Sequence, residues 1–170
     1  NPPHIPQENP TGCYFRKFRV PQEWLQRDIF IHFKGVETAY YLWINGKEVG
    51  YSQDSKLPSE FEISSYLREG ENTVAVQVMR FAESIYLEDQ DYWHLSGIFR
   101  SVMLYAKPKQ RIVDWKIEAI PDLHHPFGTV KADVSINRFN GFADYKVKLD
   151  ILDQENRLLA SGTSAVNAQA

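Results

Sequence analysis

The stretch AYYLWINGKEVGY, residues 39–51, decides the fold class of this chain. A mostly apolar run from Ala39 to Ile44 is followed by Asn45-Gly46, and Lys47 to Tyr51 completes the stretch. Asn-Gly tolerates the two positive φ angles of a type I′ turn, the turn that suits a two-residue hairpin loop. The stretch therefore predicts a β-hairpin.

Short strand patterns continue on both sides of this hairpin, separated by turn residues. No segment before residue 108 keeps a 3.6-residue apolar period over more than two turns, which argues against long helices. One helical turn is expected within 61–67, with Ser64 or Ser65 as its cap. Many short strands with turns between them predict an all-β fold, an antiparallel β-sandwich. The further predicted strands are 14–20, 28–33, 73–81 and 98–105, then 111–120, 128–138, 144–153 and 157–164.

A polar connector, KPKQ at 107–110, predicts a domain boundary. We therefore expect one domain over 1–108 and a second over 109–170. The second contains four predicted strands and turns such as Asn140-Gly141, whereas a complete sandwich of the usual form has about seven strands. It is either part of a larger sandwich or a complete four-stranded accessory sheet.

Composition excludes several classes of protein. The net charge of −3 gives no electrostatic reason to expect nucleic acid or an anionic membrane as a partner. No apolar run approaches the ~20 residues that span a bilayer. The single cysteine, Cys13, excludes an internal disulfide and is expected to be a small buried apolar residue. The chain begins with Asn, so we expect a fragment or processed product. A cytoplasmic location is expected, with the periplasm as the alternative.

One loop, YLEDQDYWHLSGIFR at 86–100, fits neither a helix nor a strand pattern. It places Glu88, Asp89 and Asp91 beside Tyr92 and Trp93. Carboxylates accept hydrogen bonds from sugar hydroxyls, and aromatic faces stack on the C–H face of a pyranose. The loop therefore suggests a sugar site. The structural alternative is a solvated acidic turn with Trp93 in the core.

The run EDQDYWHLSGIFR resembles the signature of the bacterial β-galactosidases of glycoside hydrolase family 2. The segments ENPTGCY at 8–14, LWINGKEVGYSQDSKLPSEF at 42–61, LREGENTVAVQV at 67–78 and VMLYAKP at 102–108 resemble the same family in the same order. Related β-glucuronidases resemble the LWINGKEVG part but usually lack DQDYW. The resemblance implies a jelly-roll sugar-binding domain, followed by an immunoglobulin-like domain that stops partway.

The same resemblance implies a parent enzyme that hydrolyses terminal β-galactosides with retention. The family's catalytic glutamates lie in a later (β/α)₈ barrel, so no catalytic residue is expected in this chain. Asp91 matches the family aspartate that binds sodium and the galactose 6-hydroxyl, and Gln53 matches a position of an outer magnesium site. The implied partners are a β-galactoside, the barrel domain and, in the parent, further copies of the chain.

Other chemistry-bearing residues favour structural roles. Arg80 and Arg100 are expected to pair with Glu88 or Asp89 and hold the loop. His94 is expected to be a surface or loop histidine, and His124-His125, which has no acidic partner at ligand spacing, a loop pair before Pro126 rather than a metal site. Trp43 and Trp93 are expected in the core or at an interface. Two alternatives to the enzyme fragment are a freestanding carbohydrate-binding module, with a calcium-dependent or aromatic site of its own, and an adhesion-type sandwich without a ligand.

Overall fold

The computed structural model describes residues 2–88, 91, 93–137 and 145–166, and within them the regular structure is almost entirely β. The chain divides into two compact units, Asn1–Pro108 and Lys109–Ala170. Three short 3₁₀ turns in the first unit span Gln22–Trp24, Ser64–Tyr66 and Glu83–Tyr86. The strands of the first unit are β1 (Thr11–Arg19), β2 (Asp28–Phe33), β3 (Val36–Glu37), β4 (Ala39–Ile44), β5 (Lys47–Gln53), β6 (Ser59–Glu62), β7 (Glu71–Met79), β8 (Gly97–Ile98) and β9 (Val102–Lys107).

Antiparallel sheets enclose the core of the first unit. One sheet has the strand order β1-β7-β4-β5, a second has β6-β2-β9, and β3 pairs with β8. Alternate residues of β2, β4 and β7 meet in one apolar cluster, as the period of two in a half-buried strand requires. Each large side chain buried there contributes about 1.5–3 kcal/mol. The buried members are Ile29, Ile31, Phe33, Val36, Tyr40, Leu42, Ile44, Ile63, Val76 and Val78.

The predicted hairpin is β4 and β5, and its turn has the expected backbone. Asn45 has φ 52° and Gly46 has φ 79°, the positive values that a type I′ turn needs. The Asn45 side chain also joins the turn to the rest of the sheet. Its Oδ1 accepts from the Thr73 backbone N–H at 3.0 Å, and its amide nitrogen donates to Oδ1 of the buried Asn72 at 2.7 Å.

The second unit consists of two antiparallel hairpins in its described part. One pairs β10 (Arg111–Pro121) with β11 (Gly128–Asn137), and the other pairs β12 (Lys146–Leu152) with β13 (Leu158–Ala165). All four strands were predicted. The turn predicted at Asn140-Gly141 lies outside the described residues.

Three expectations about the first unit were wrong. Neither Ser64 nor Ser65 caps the helical turn, because both lie within it and Ile63 precedes it; the Ser64 hydroxyl accepts from the Ile29 backbone N–H at 2.8 Å instead. The strand predicted over 98–105 is interrupted between β8 and β9, where the Ser101 carbonyl accepts from Lys34 N–H. Cys13 is exposed, because it lies on β1, an edge strand whose residues are almost all exposed.

Candidate functional site

Asp91 lies in an exposed loop that follows the 3₁₀ turn Glu83–Tyr86, and its side chain is accessible to solvent. Asp89, Gln90 and Tyr92 lie outside the described residues. Trp93 is 84% exposed, so the alternative that buries it in the core is wrong for this chain. Leu87 and Leu95 are exposed as well. The carboxylate of Asp91 and the indole of Trp93, two residues apart in the sequence, are therefore both accessible to solvent.

Glu88 holds the start of this loop, and its partner is a main-chain group. Its Oε2 accepts from the Ser55 backbone N–H at 3.0 Å. Arg100 instead donates through Nη1 to the carbonyl of Lys56 at 3.0 Å and that of Lys34 at 3.4 Å. The guanidinium of Arg80 lies 5.2 Å from the centre of the Phe81 ring. Within the described residues neither arginine pairs with Glu88, so that part of the prediction is wrong, whereas the other expected partner, Asp89, lies outside the described residues.

The buried carboxylate of Glu37 contacts the other end of the loop. This residue was not identified from the sequence. Glu37 is 4% exposed. Its Oε2 lies 3.1 Å from Lys56 Nζ, and its Oε1 lies 3.6 Å from His94 Nδ1. His94 is therefore a loop histidine, as expected, and is half-buried against a carboxylate. The available signal was an acid in the otherwise apolar run around AYYLWI.

Gln53 ends β5 and is exposed. Its Oε1 accepts from the Tyr51 hydroxyl at 3.1 Å. Burial raises the pKa of Tyr51, with smaller contributions from Tyr41 and from the negative charge of Glu83. The carbonyl oxygen that a magnesium ion would use is thus already engaged by a neutral phenol.

Oxygen donors of the right chemical type for sodium and magnesium are present, but not as complete sites. Carboxylate and amide oxygens suit hard cations. Asp91 and Gln53 each supply one such side chain. Within the residues that the structure describes, no group of three or more His, Cys, Asp or Glu side chains is placed to hold a metal ion.

The remaining candidates are structural. His125 Nδ1 lies 2.9 Å from Asp122 Oδ2, so the prediction that the histidine pair has no acidic partner is wrong. A hydrogen bond from the His124 backbone N–H lowers the pKa of Asp122, and a weaker lowering comes from the hydrogen bond with the His125 side chain. Such hydrogen bonds are expected for an acid that closes a turn. Trp43 is half-buried, with its ring 5.9 Å from that of Tyr41. No helix in the described part of the chain is long and apolar enough to span a membrane.

Comparison with known sequences gives matches over most of the chain. The family model of the glycosyl hydrolases family 2 sugar binding domain matches residues 1–108. Beta-galactosidase 2 of Enterobacter cloacae is 49% identical over 148 residues, which are 86% of this chain and 14% of that protein. Beta-galactosidase of Vibrio cholerae is 42% identical over 159 residues, 94% of this chain and 15% of that protein. The chain thus spans about one seventh of the length of these relatives.

Solved structures share the fold. A beta-glucuronidase from an uncultured Clostridium species superposes with a TM-score of 0.71 at 28% identity, over 91% of this chain and 28% of that one. A Bifidobacterium dentium beta-glucuronidase superposes with a TM-score of 0.72 at 22% identity, over 91% of this chain and 31% of that one. The second likeness concerns the fold alone. Since the family model accounts for the whole first unit, the chain belongs to glycoside hydrolase family 2 and carries its sugar binding domain.

Proposed function

We propose that this chain is the sugar-binding part of a longer retaining β-galactosidase, to which it contributes Asp91 but no catalytic residue. One observation supports a β-galactoside, and not a β-glucuronide, as the substrate. The relatives that are 42–49% identical over most of the chain are named β-galactosidases, whereas the solved glucuronidases are at most 28% identical. A jelly roll for the first unit and an immunoglobulin-like sandwich for the second belong to the same proposal, as do oligomerisation of the parent and a cytoplasmic location.

The contacts of the loop acids support the non-catalytic role. Retaining glycosidases use two carboxyl groups about 5–5.5 Å apart, on either side of one glycosidic bond. Glu88 instead accepts from the Ser55 backbone N–H, which is a structural contact. The catalytic pair would come from a barrel domain elsewhere in the same parent chain.

Asp91 fits a binding role because it is accessible, as is Trp93 two residues later in the sequence. Asp91 would hold sodium and accept a hydrogen bond from the galactose 6-hydroxyl. Sodium, when bound, would supply a positive charge that orients that hydroxyl. Gln53 would give its amide oxygen to an outer magnesium site after releasing the Tyr51 hydroxyl. Both sites would need further oxygen ligands from the rest of the parent.

The first test compares the 170-residue chain with the product of its full-length reading frame on nitrophenyl β-galactoside and nitrophenyl β-glucuronide. We expect the full-length protein to hydrolyse the galactoside preferentially and the 170-residue chain to hydrolyse neither. Turnover by the chain that Asp91→Ala abolishes would contradict the non-catalytic role. A preference for the glucuronide would contradict the choice of substrate.

The second test concerns Asp91→Asn in the full-length protein. The substitution keeps the shape but removes the charge, and a hydrogen bond to a charged group contributes about 1.5–3 kcal/mol. We expect binding of a galactose-like inhibitor to weaken roughly 10- to 100-fold, and activation by sodium to weaken with it. Glu88→Gln is the control, because the amide keeps an oxygen that can accept from Ser55 N–H. Unchanged sodium activation and inhibitor affinity, or a lower melting temperature as the main effect, would show that Asp91 has a structural role instead.

The 84% exposure of Trp93 favours one second candidate, a carbohydrate-binding module that works without a catalytic partner. Such a module would bind glycans as the isolated chain. A glycan array separates the two proposals. Strong binding by the 170-residue chain that Trp93→Ala removes would favour the module, and a flat array would favour a pocket that the rest of the parent completes.

A further inference from the structure

We propose that Glu37 is a positioning residue that fixes the Asp91 loop through His94; the functional part of this inference rests on the proposed role of Asp91 in sugar and sodium binding. Glu37 ends the two-residue strand β3, whose partner is β8 at the far end of the loop. In that pairing, Glu37 lies opposite Gly97. The carboxylate is therefore built into the ladder that receives the chain as it leaves the loop.

The burial of Glu37 needs an explanation, because removing a carboxylate from water costs several kcal/mol unless partners compensate it. Lys56 supplies one partner at 3.1 Å, and that contact alone would neutralise the charge. The second oxygen faces His94 at 3.6 Å. Buried ion pairs add little net stability, and their better-supported use is to select one arrangement of the chain. Glu37 therefore has the placement of a group that selects the position of the loop.

Both anchors of the loop converge on one short segment. Glu88 is bound by the backbone of Ser55, and the next residue, Lys56, shares the Glu37 carboxylate with His94. The Lys56 carbonyl also accepts from Arg100, just beyond β8. Asp91 lies three residues from Glu88 and three from His94. Three residues reach at most ~10 Å, so each anchor limits the positions that Asp91 can take.

Among the described residues, Lys56 and His94 are the charged or titratable groups that face the Glu37 carboxylate. Glu60 offers a matched control, since it also lies between a histidine and a lysine. Its Oε2 is 3.4 Å from His32 Nδ1, and its Oε1 is 3.5 Å from Lys107 Nζ. These contacts are on β6, β2 and β9, away from the Asp91 loop. Glu60→Gln therefore removes the same kind of charge without touching an anchor.

The first experiment measures amide hydrogen exchange in the 170-residue chain, a readout that is independent of sugar binding. Glu37→Gln should speed exchange of the amides of residues 93–97 at least tenfold and leave those of β4 and β7 unchanged. His94→Leu should give the same result from the loop side, and it leaves the Glu37–Lys56 pair intact if Glu37→Gln does not fold. Glu60→Gln should leave residues 93–97 as in the wild type. Wild-type exchange at 93–97 in His94→Leu would overturn the inference.

The second experiment uses the full-length enzyme. Glu37→Gln should raise KM and the inhibition constant of a galactose-like inhibitor about threefold to tenfold, with a smaller change in kcat, and should raise the sodium concentration for half-maximal activity. These effects should largely vanish in an Asp91→Asn background, because the two residues would act through one contact. If Asp91→Asn itself changes nothing, the proposed function fails, and hydrogen exchange still decides whether Glu37 holds the loop. If Asp91→Asn weakens binding but Glu37→Gln matches Glu60→Gln, the positioning role is overturned.

Discussion

Tyr40 shows what burial does to a single ionisable group in this protein. The residue is 2% exposed in the core of the first unit, and its hydroxyl hydrogen-bonds to the Ser59 hydroxyl. Burial raises the pKa of Tyr40 to about 12, against a smaller lowering by hydrogen bonds from Ser59 and Ser52. The folded state therefore favours the neutral phenol more strongly than the unfolded chain does.

The raised pKa of Tyr40 predicts a loss of stability at high pH. The unfolded phenol ionises near pH 10, whereas the folded one stays protonated until about pH 12. The stability that the folded protein gains from the raised pKa of Tyr40 is thus fully present below about pH 10 and is lost as the pH rises towards 12. Tyr40→Phe should cost about 1 kcal/mol at pH 8 through the lost hydrogen bond.

Tyr40→Phe also removes the loss of stability that ionisation of Tyr40 causes at high pH. The wild-type advantage over Tyr40→Phe should shrink by about 1–2 kcal/mol between pH 9 and pH 11.5. The comparison is made by urea unfolding of both proteins across this pH range, monitored by circular dichroism. Two stability curves that stay parallel would show that the phenol of Tyr40 titrates alike in the folded and unfolded states.

At the scale of an element, the hairpin β4–β5 depends on the backbone of its two turn residues. Gly46 has φ 79°, and no atom lies within 4 Å of where its Cβ would stand. Gly46→Ala should therefore cost only the strain of the left-handed backbone, about 1–2 kcal/mol. Gly162→Ala is the control, because Gly162 has the same open space and no positive φ.

Urea unfolding checks this prediction. We expect a lower unfolding midpoint for Gly46→Ala and an unchanged or slightly higher one for Gly162→Ala, since alanine suits a strand interior better than glycine. Equal effects of the two substitutions would mean that the turn of the hairpin can adopt another geometry without cost.

At the scale of the whole molecule, the connector between the two units predicts where a protease cuts first. β9 ends at Lys107 and β10 begins at Arg111, so residues 108–110 carry no strand pairing. Exposed connectors between compact units are the usual sites of nicking. Trypsin should cut first after Lys109, because Pro108 protects the bond after Lys107, and should leave a folded piece that ends there.

Mass spectrometry of a tryptic time course identifies this first cut. Lys109→Gln should slow the appearance of the fragment without changing the unfolding midpoint. First cuts within β7, between Thr73 and Val78, would instead indicate that the chain opens as one continuous domain.

Local sequence determined most of the strands, the hairpin turn and the family of this protein. An Asn-Gly pair between two strand patterns specifies its own turn, because the two positive φ angles that the turn requires are those of the pair itself. Alternation likewise predicts which residues of a strand face the core. The loop signature pointed to Asp91 through its resemblance to a family, and the structure adds that Asp91 is exposed.

Only the tertiary structure decided how the loop is held. Glu37 is buried because β3 pairs with β8 and brings it against Lys56 and His94, which are distant in sequence. Ser64 and Arg100 bind backbone groups of other segments, and Cys13 is exposed because β1 is an edge strand. Side-chain patterns describe a residue's own element, whereas burial and ion pairs depend on which elements pack together. Long-range pairing makes that choice, so the anchors of the Asp91 loop could not be read from the sequence.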